Sequence, residues 1–214
     1  MSRVAAGAAM GIYGNCVLPH LIDLAMKHPL ARERRMEVVP RATGVVLEIG
    51  IGSGLNLQFY TSGTTALYGV DPSERLLSMA RARSARSRVA PELVCASAEQ
   101  LPVPSASIDS VVMTWTLCSI PAPARALAEI KRVLKPGGRL LFVEHGLAPD
   151  PAVQRWQRRL NPAWRRIAGG CNLDRPMDRL IRSGGFRIER LHARYLPGPK
   201  PFTFFYEGTA CVPA

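Results

Sequence analysis

Val45-Val46-Leu47-Glu48-Ile49-Gly50-Ile51-Gly52-Ser53-Gly54 is the stretch that decides the fold of this 214-residue chain. A short β-branched run that breaks into alternating glycines reads as a buried strand entering a tight turn. Glycines there let a ligand approach the backbone, and a helix starting after Gly54 would present free N–H groups. The spacing is not that of a dinucleotide fingerprint, because Leu55 stands where G-x-G-x-x-G needs its third glycine. A phosphate-binding P-loop is excluded too, since no Gly-Lys-Ser/Thr follows.

Outward from this loop, strands alternate with helices, the pattern of a parallel sheet. Ala66 to Val70 reads as a second strand closed by Asp71-Pro72, and Ser73 caps a helix with Leu76, Leu77, Met79 and Ala80 inward. Glu92 to Ala96 and Ile108 to Met113 are further strands. The helix Ala122 to Leu134 buries Ala126, Leu127, Ile130, Val133 and Leu134, and Lys135-Pro136-Gly137-Gly138 launches a strand over Arg139 to Val143. Past Glu144-His145-Gly146, Val153, Trp156, Leu160, Trp164 and Ile167 recur at helical spacing among arginines, with a kink or split expected at Pro162. Asp174 to Ser183 reads as a helix, and Phe186–Ala193 and Phe202–Cys211 as closing strands.

Size and composition bound the function. A chain of this length buries roughly 70% of its unfolded surface and needs no disulfide or metal staple. No apolar run reaches the roughly 18 residues of a membrane span. Arg3 and the Ala/Gly-rich start lack the core of a signal peptide, so a cytoplasmic location is expected. Five scattered cysteines (Cys16, Cys95, Cys118, Cys171, Cys211) form neither a disulfide framework nor a CxxC zinc pattern, and no metal is expected. The net charge of +12 is concentrated, with 12 Lys/Arg against four acids over residues 150–200. A solvated basic face explains it. No nucleic-acid partner is expected, although peripheral contact with an anionic membrane through residues 153–167 fits the pattern.

Glu48-x-Gly50-x-Gly52-x-Gly54, Asp71 after the second strand, Ser97-Ala98-Glu99 after the third, Asp109-Ser110-Val111-Val112-Met113, and Leu134-Lys135-Pro136-Gly137-Gly138 occur in order over residues 44 to 145. Together they resemble the class I S-adenosylmethionine-dependent methyltransferases. The resemblance implies an α/β, Rossmann-like, doubly wound seven-stranded sheet with the last strand antiparallel. Residues 1–42 would form an N-terminal helical cap, and residues 43–214 one domain with a short helical lid at about 150–173. By the same carry-over, Asp71 with Pro72 holds the ribose of S-adenosyl-L-methionine. Glu48, Gly50, Gly52, Ser53, Gly54 and Asn56 flank its methionine part, Ala98 and Glu99 its adenine, and Thr114 its methionine end. Many relatives carry Asp where this chain has Ser97, a departure that touches adenine recognition.

Thr116-Leu117-Cys118-Ser119, Glu144-His145, Asn161-Pro162-Ala163-Trp164 and Gly170-Cys171-Asn172-Leu173 are similar to a spaced set in the mammalian microsomal alkyl thiol methyltransferases. This second resemblance implies S-methylation of sulfide, methanethiol or other small thiols. The acceptor site is expected above the carboxyl ends of the strands, built from the N-terminal segment, the ends of strands four and five and the insertion after them, which makes His145, Cys118, Cys171, Asn172, Trp164 and Tyr13 the candidate catalytic set. Their hydrophobic N-terminal anchor has no counterpart here, so a soluble protein is expected. Broader similarity to quinone C-methyltransferases and bacterial phospholipid N-methyltransferases leaves those acceptors as the alternative. His145 is the one evident base. Cys118 and Cys171 could relay a methyl group, hold a metal with His145, or pack as small hydrophobes, as buried cysteine usually does.

Overall fold

Seven strands pair in the order β3-β2-β1-β4-β5-β7-β6 in the computed structural model, which describes residues 13–213. The strands are β1 (Gly44–Ile49), β2 (Thr64–Asp71), β3 (Pro91–Cys95), β4 (Ile108–Thr114), β5 (Leu134–His145), β6 (Arg187–Tyr195) and β7 (Phe204–Cys211). β1 to β5 are parallel, and β7 runs antiparallel to both β5 and β6, as expected. Helices α3 (Glu74–Ser84) and α4 (Pro123–Val133) cross over between strands, and α6 (Met177–Ser183) precedes β6. Two more, α1 (Leu18–Met26) and α2 (Pro29–Val38), precede the sheet, and α5 (Pro151–Ile167) follows β5. Two apolar clusters form the core. The first chain segment, including Arg3 and the Ala/Gly stretch, lies outside the described residues.

Local chemistry explains the joins. Ser73 Oγ accepts the Leu76 N–H at 3.3 Å and so caps α3. Asp109 Oδ2 accepts the Val45 N–H at 2.8 Å while Lys135 Nζ meets Oδ1 at 2.7 Å, tying β4 to β1 and to the start of β5. Gly44 sits at φ +72°, and a Cβ there would run into the Asp109 side chain.

Four expectations change. The glycine loop opens a single 3-10 turn, Leu57–Phe59, rather than a helix to Tyr60, because Asn56 is drawn into side-chain bonds with Glu48 and Thr114. Lys135–Gly138 is a bulge inside β5, not a turn before it: Ile108 pairs with Leu134, and Ser110 next pairs with Arg139. The helix expected from Asp174 begins at Met177, since Asp174 is taken by the Asn161 amide and Pro176 delays entry. α5 is not split: one helix runs through Pro162, whose ring sits on the exposed side.

The buried face of α5 also differs from the apolar stripe. Val153, Gln157 and Asn161 are buried, whereas Trp156 and Ile167 are more than half exposed. The polar pair wins the inner face by satisfying backbone. Gln157 accepts the Ala148 N–H and donates to the Gly146 and Pro201 carbonyls, and Asn161 accepts the Leu173 N–H.

Candidate active site

The carboxyl ends of β1, β2, β4 and β5 meet at a cavity of about 540 Å³, where open α/β sheets bind ligands. α1 and the end of α5 roof it. A larger, shallower groove of about 780 Å³ lies at the amino ends of β2 and β3, away from the glycine loop.

At the β1–β2 side, Gly50 and Gly52 adopt φ of +66° and +54°, a left-handed conformation that favours glycine. A Cβ on Gly50 would collide with Thr116, whereas one on Gly52 meets little, so that backbone is open to a ligand. Asp71 accepts N–H bonds from Gly52 (3.0 Å) and Ser73 (2.8 Å). Burial raises its pKa, and those two bonds oppose the rise. Glu48 is buried, and burial pushes its pKa up to about 7 despite bonds from Tyr60 (2.7 Å) and Asn56 (2.8 Å). Asn56 Nδ2 also reaches Thr114 Oγ1, which leaves Asn56 Oδ1 buried and unpartnered in the wall.

Two residues that the sequence did not flag complete this side. Arg35 donates to the Met26 carbonyl at 2.8 Å and stacks on Trp115 at 4.7 Å, its pKa drawn down to about 10 by burial against the pull of Glu48. Asp23 on α1 meets Ser53 Oγ at 2.5 Å, Lys27 at 2.7 Å and Arg83 at 2.8 Å. Burial would raise its pKa, but Lys27, Ser53 and Arg83 together hold it below the usual carboxylate value. An acid interrupting the apolar run of α1 was the one available signal.

At the β4–β5 side, Cys118, His145 and Cys171 converge from three separate elements. His145 Nε2 lies 2.6 Å from Cys171 Sγ, and the two sulfurs are 3.5 Å apart. The Cys118 thiol and then His145 stabilise a Cys171 thiolate against burial, drawing its pKa down to about 4. The same contact with Cys171, with burial, pushes Cys118 well up. Burial would lower His145, but Cys171 and Glu144 outweigh it and leave it raised. Glu144, fully buried, shapes the wall by accepting the N–H groups of Thr116, Leu117 and Cys118 at 2.8, 2.8 and 3.2 Å. Burial takes its pKa to about 7 against those bonds. Arg175 holds the same loop from behind through the Leu117 and Ile120 carbonyls.

Of the residues named from sequence, Glu48, Gly50, Gly52, Ser53, Asn56, Asp71, Pro72, Ala98, Thr114, Cys118, His145, Trp164 and Cys171 line the cavity. Four do not. Gly54 instead packs on α3, where a Cβ would press on Leu57 and Ala80. Glu99 turns to the N-terminus of α4 and accepts the Ala122 N–H at 2.6 Å. The Tyr13 hydroxyl is spent on the Ile167 carbonyl at 2.8 Å. Asn172 stands behind the wall, its N–H and side-chain amide both donating to the Cys118 carbonyl at 3.0 and 2.8 Å, and its amide also to Gly170.

Known proteins resemble this chain in sequence and in fold. Residues 47–142 match the methyltransferase domain family. A thiol S-methyltransferase, TMT1B of Rattus norvegicus, is 35% identical over 167 residues, 76% of this chain and 66% of that protein. The chain belongs to the class I S-adenosylmethionine-dependent methyltransferases. A phosphatidylethanolamine N-methyltransferase of Cereibacter sphaeroides is 34% identical over 116 residues, 53% of this chain and 57% of its own. This methyltransferase therefore spans about two thirds or less of the length of these relatives. The crystal structure of a Methanosarcina mazei S-adenosylmethionine-dependent methyltransferase aligns with a TM-score of 0.65 at 21% identity, over 87% of this chain and 98% of that one.

The residues present fit that methyl donor. The cavity is large enough, Asp71 is a buried carboxylate at the end of β2, the Gly52 backbone is open, and the orphaned Asn56 Oδ1 offers an acceptor to a cationic group. Among the described residues, no helix is long and apolar enough to cross a membrane.

Proposed function

We propose that the protein transfers the methyl group of S-adenosylmethionine to sulfide, methanethiol or other small thiols. The observation that carries this reading is the far end of the cavity. There the polar side chains are those of soft Cys118, His145 and Cys171 with Thr116 and Ser119, whereas the cavity-lining carboxylates belong to the β1–β2 side or to α1. Hydroxyl and carbon acids need a strong base to become nucleophiles, but a thiol near neutral pH is already partly thiolate. Similarity to thiol S-methyltransferase TMT1B supports the same reading.

Asp71, Asn56 and the Gly50–Gly52 backbone orient the donor, which supplies an electrophilic methyl on a sulfonium. The acceptor's proton leaves to solvent, since His145 Nε2 is engaged with the Cys171 sulfur, and the wall made by Trp115, Trp164 and Cys171 aligns the acceptor sulfur with the methyl. Such alignment accounts for much of the acceleration in an in-line displacement. Roofing by α1 and α5 excludes water from the reacting atoms. The five cysteines are unpaired, and we take the compartment to be the reducing cytoplasm.

The test is incubation of pure protein with S-adenosylmethionine and sulfide, methanethiol, a bulky thiol or no acceptor, with S-adenosylhomocysteine quantified. Turnover dependent on a small thiol supports the reading, and cofactor binding with no thiol turned over overturns it.

One observation favours a lipid-like acceptor instead. Leu21 and Leu24 on α1, and Trp156 and Ile167 on α5, are exposed, and α5 carries Arg155, Arg158, Arg159, Arg165 and Arg166. A basic amphipathic roof of this kind suits an anionic membrane surface. Co-sedimentation with vesicles containing anionic lipid, followed by assay of phosphatidylethanolamine methylation, separates the two acceptors.

A further inference from the structure

We infer that Cys118, His145 and Cys171 form a three-donor site for a thiophilic divalent cation, zinc, whose fourth position opens into the acceptor end of the cavity. Their Sγ, Nε2 and Sγ atoms all lie within 4.8 Å of one another, though they come from the loop after β4, the last residue of β5 and the loop after α5. Two thiolates and an imidazole are a donor set typical of zinc, and three protein ligands with one open position are the arrangement of catalytic rather than structural sites. All three donors line the cavity, so the open position faces the acceptor.

Geometry can be weighed directly. Tetrahedral zinc with Zn–S of about 2.3 Å and Zn–N of about 2.05 Å separates two sulfurs by about 3.8 Å and sulfur from nitrogen by about 3.5 Å. The sulfurs already stand 3.5 Å apart. His145 and Cys171, at 2.6 Å, must part by about 0.9 Å to hold a metal between them. The supporting shell is in place. Glu144 accepts the Cys118 N–H, and Asn172 grips the Cys118 carbonyl, fixing the two cysteine-bearing loops against each other. The indole N–H of Trp164 is buried beside Cys171 with no hydrogen-bond partner of good geometry, as a donor reserved for a metal-bound sulfur would be.

The consequence for chemistry rests on the thiol reading. An acceptor R–SH enters the fourth position and releases its proton to solvent, so that zinc holds R–S⁻. An electron pair of that sulfur forms the new S–CH₃ bond as the sulfonium C–S bond breaks and its electrons stay on the departing thioether of S-adenosylhomocysteine. The methylated product is a neutral thioether and a poor zinc ligand, which favours its release. Zinc keeps its oxidation state throughout.

The experiment loads the purified 214-residue protein with zinc, strips excess over a chelating resin, and measures bound metal by mass spectrometry. About one zinc per chain is expected, with the half-buried Cys171 thiol shielded from a disulfide reagent until a strong chelator is added. Cobalt(II) in place of zinc should give a sulfur-to-metal charge-transfer band that shifts when methanethiol is added. Cys171→Ser and His145→Gln should each lose most of the metal. They are paired with Cys118→Ser because Cys118 is buried and its variant could misfold, which circular dichroism reports. A Cys16→Ser/Cys95→Ser double variant should keep the metal. Absence of retained zinc, or retention unchanged in folded Cys171→Ser and His145→Gln, overturns the inference. Metal bound without thiol turnover leaves the site standing and removes the thiol reading. Full thiol turnover by metal-stripped protein keeps the thiol reading and removes the metal's part in the transfer.

Discussion

Glu48 shows how a single buried carboxylate couples the cofactor wall to stability. Its pKa in the fold is raised from 4.5 to about 7, so the native state favours the protonated form. Stability from this group is therefore complete below about pH 4.5 and is lost as pH rises through 7. The shift corresponds to at most roughly 3 kcal/mol. Unfolding of the cofactor-free protein by denaturant at pH 5 and pH 8 should show Glu48→Gln losing less stability over that interval than the parent. Equal losses would show that Glu48 does not titrate in this range. Asp71 gives the complementary case, because Asp71→Asn keeps an acceptor for Gly52 or Ser73 but loses the charge. Affinity for S-adenosylhomocysteine, read by calorimetry, should fall by 10- to 100-fold, about 1.4–3 kcal/mol, while melting changes little. The place of Asp71 in the cavity wall was legible in the sequence, because an acid closes the second strand beside the glycine loop. Glu99 and Tyr13 were not, since both spend their polar atoms on backbone groups distant in sequence, Ala122 and Ile167, whose nearness only the fold creates.

At the scale of elements, the sheet and the crossover helices α3 and α4 followed from apolar periodicity, whereas the helices over the cavity did not. α5 is the clear case. Its apolar stripe suggested Trp156 and Ile167 as packing residues, but backbone groups at Gly146, Ala148 and Pro201 needed partners, and Gln157 supplies all three. No residue pattern within α5 announces that demand. Gln157→Leu should accordingly cost about 3 kcal/mol by stranding those groups, a loss visible as a lower melting temperature. Trp156→Ala should change stability by less than about 0.5 kcal/mol, and it should weaken vesicle binding if the roof meets a membrane. A large loss of stability from Trp156→Ala would mean that its exposed ring is buried in the folded protein in solution.

Across the whole molecule, the binding cavity is closed by the pieces least tied to the sheet. α1 reaches the glycine loop through Asp23, which meets Ser53, Arg83 and Lys27, and meets the end of α5 where Gly169 lies against Leu18 and Ile22. β6, the outer strand on the other edge, is largely exposed and carries Arg187, Glu189, Arg190 and Arg194, charges that discourage edge pairing. A ligand that fills the cavity touches the roof and leaves that edge alone. Binding stabilises only what it contacts or what opens to admit it. Hydrogen exchange with and without S-adenosylhomocysteine should therefore slow in Leu18–Met26 and in residues 164–171 while β6 is unchanged. Asp23→Ala should abolish most of the protection in α1 and weaken cofactor affinity several-fold, because the helix is then no longer tied to the loop that carries Gly52. Uniform slowing across the chain would instead mean that the roof opens only when the whole domain unfolds, and release of product could not then proceed through movement of α1.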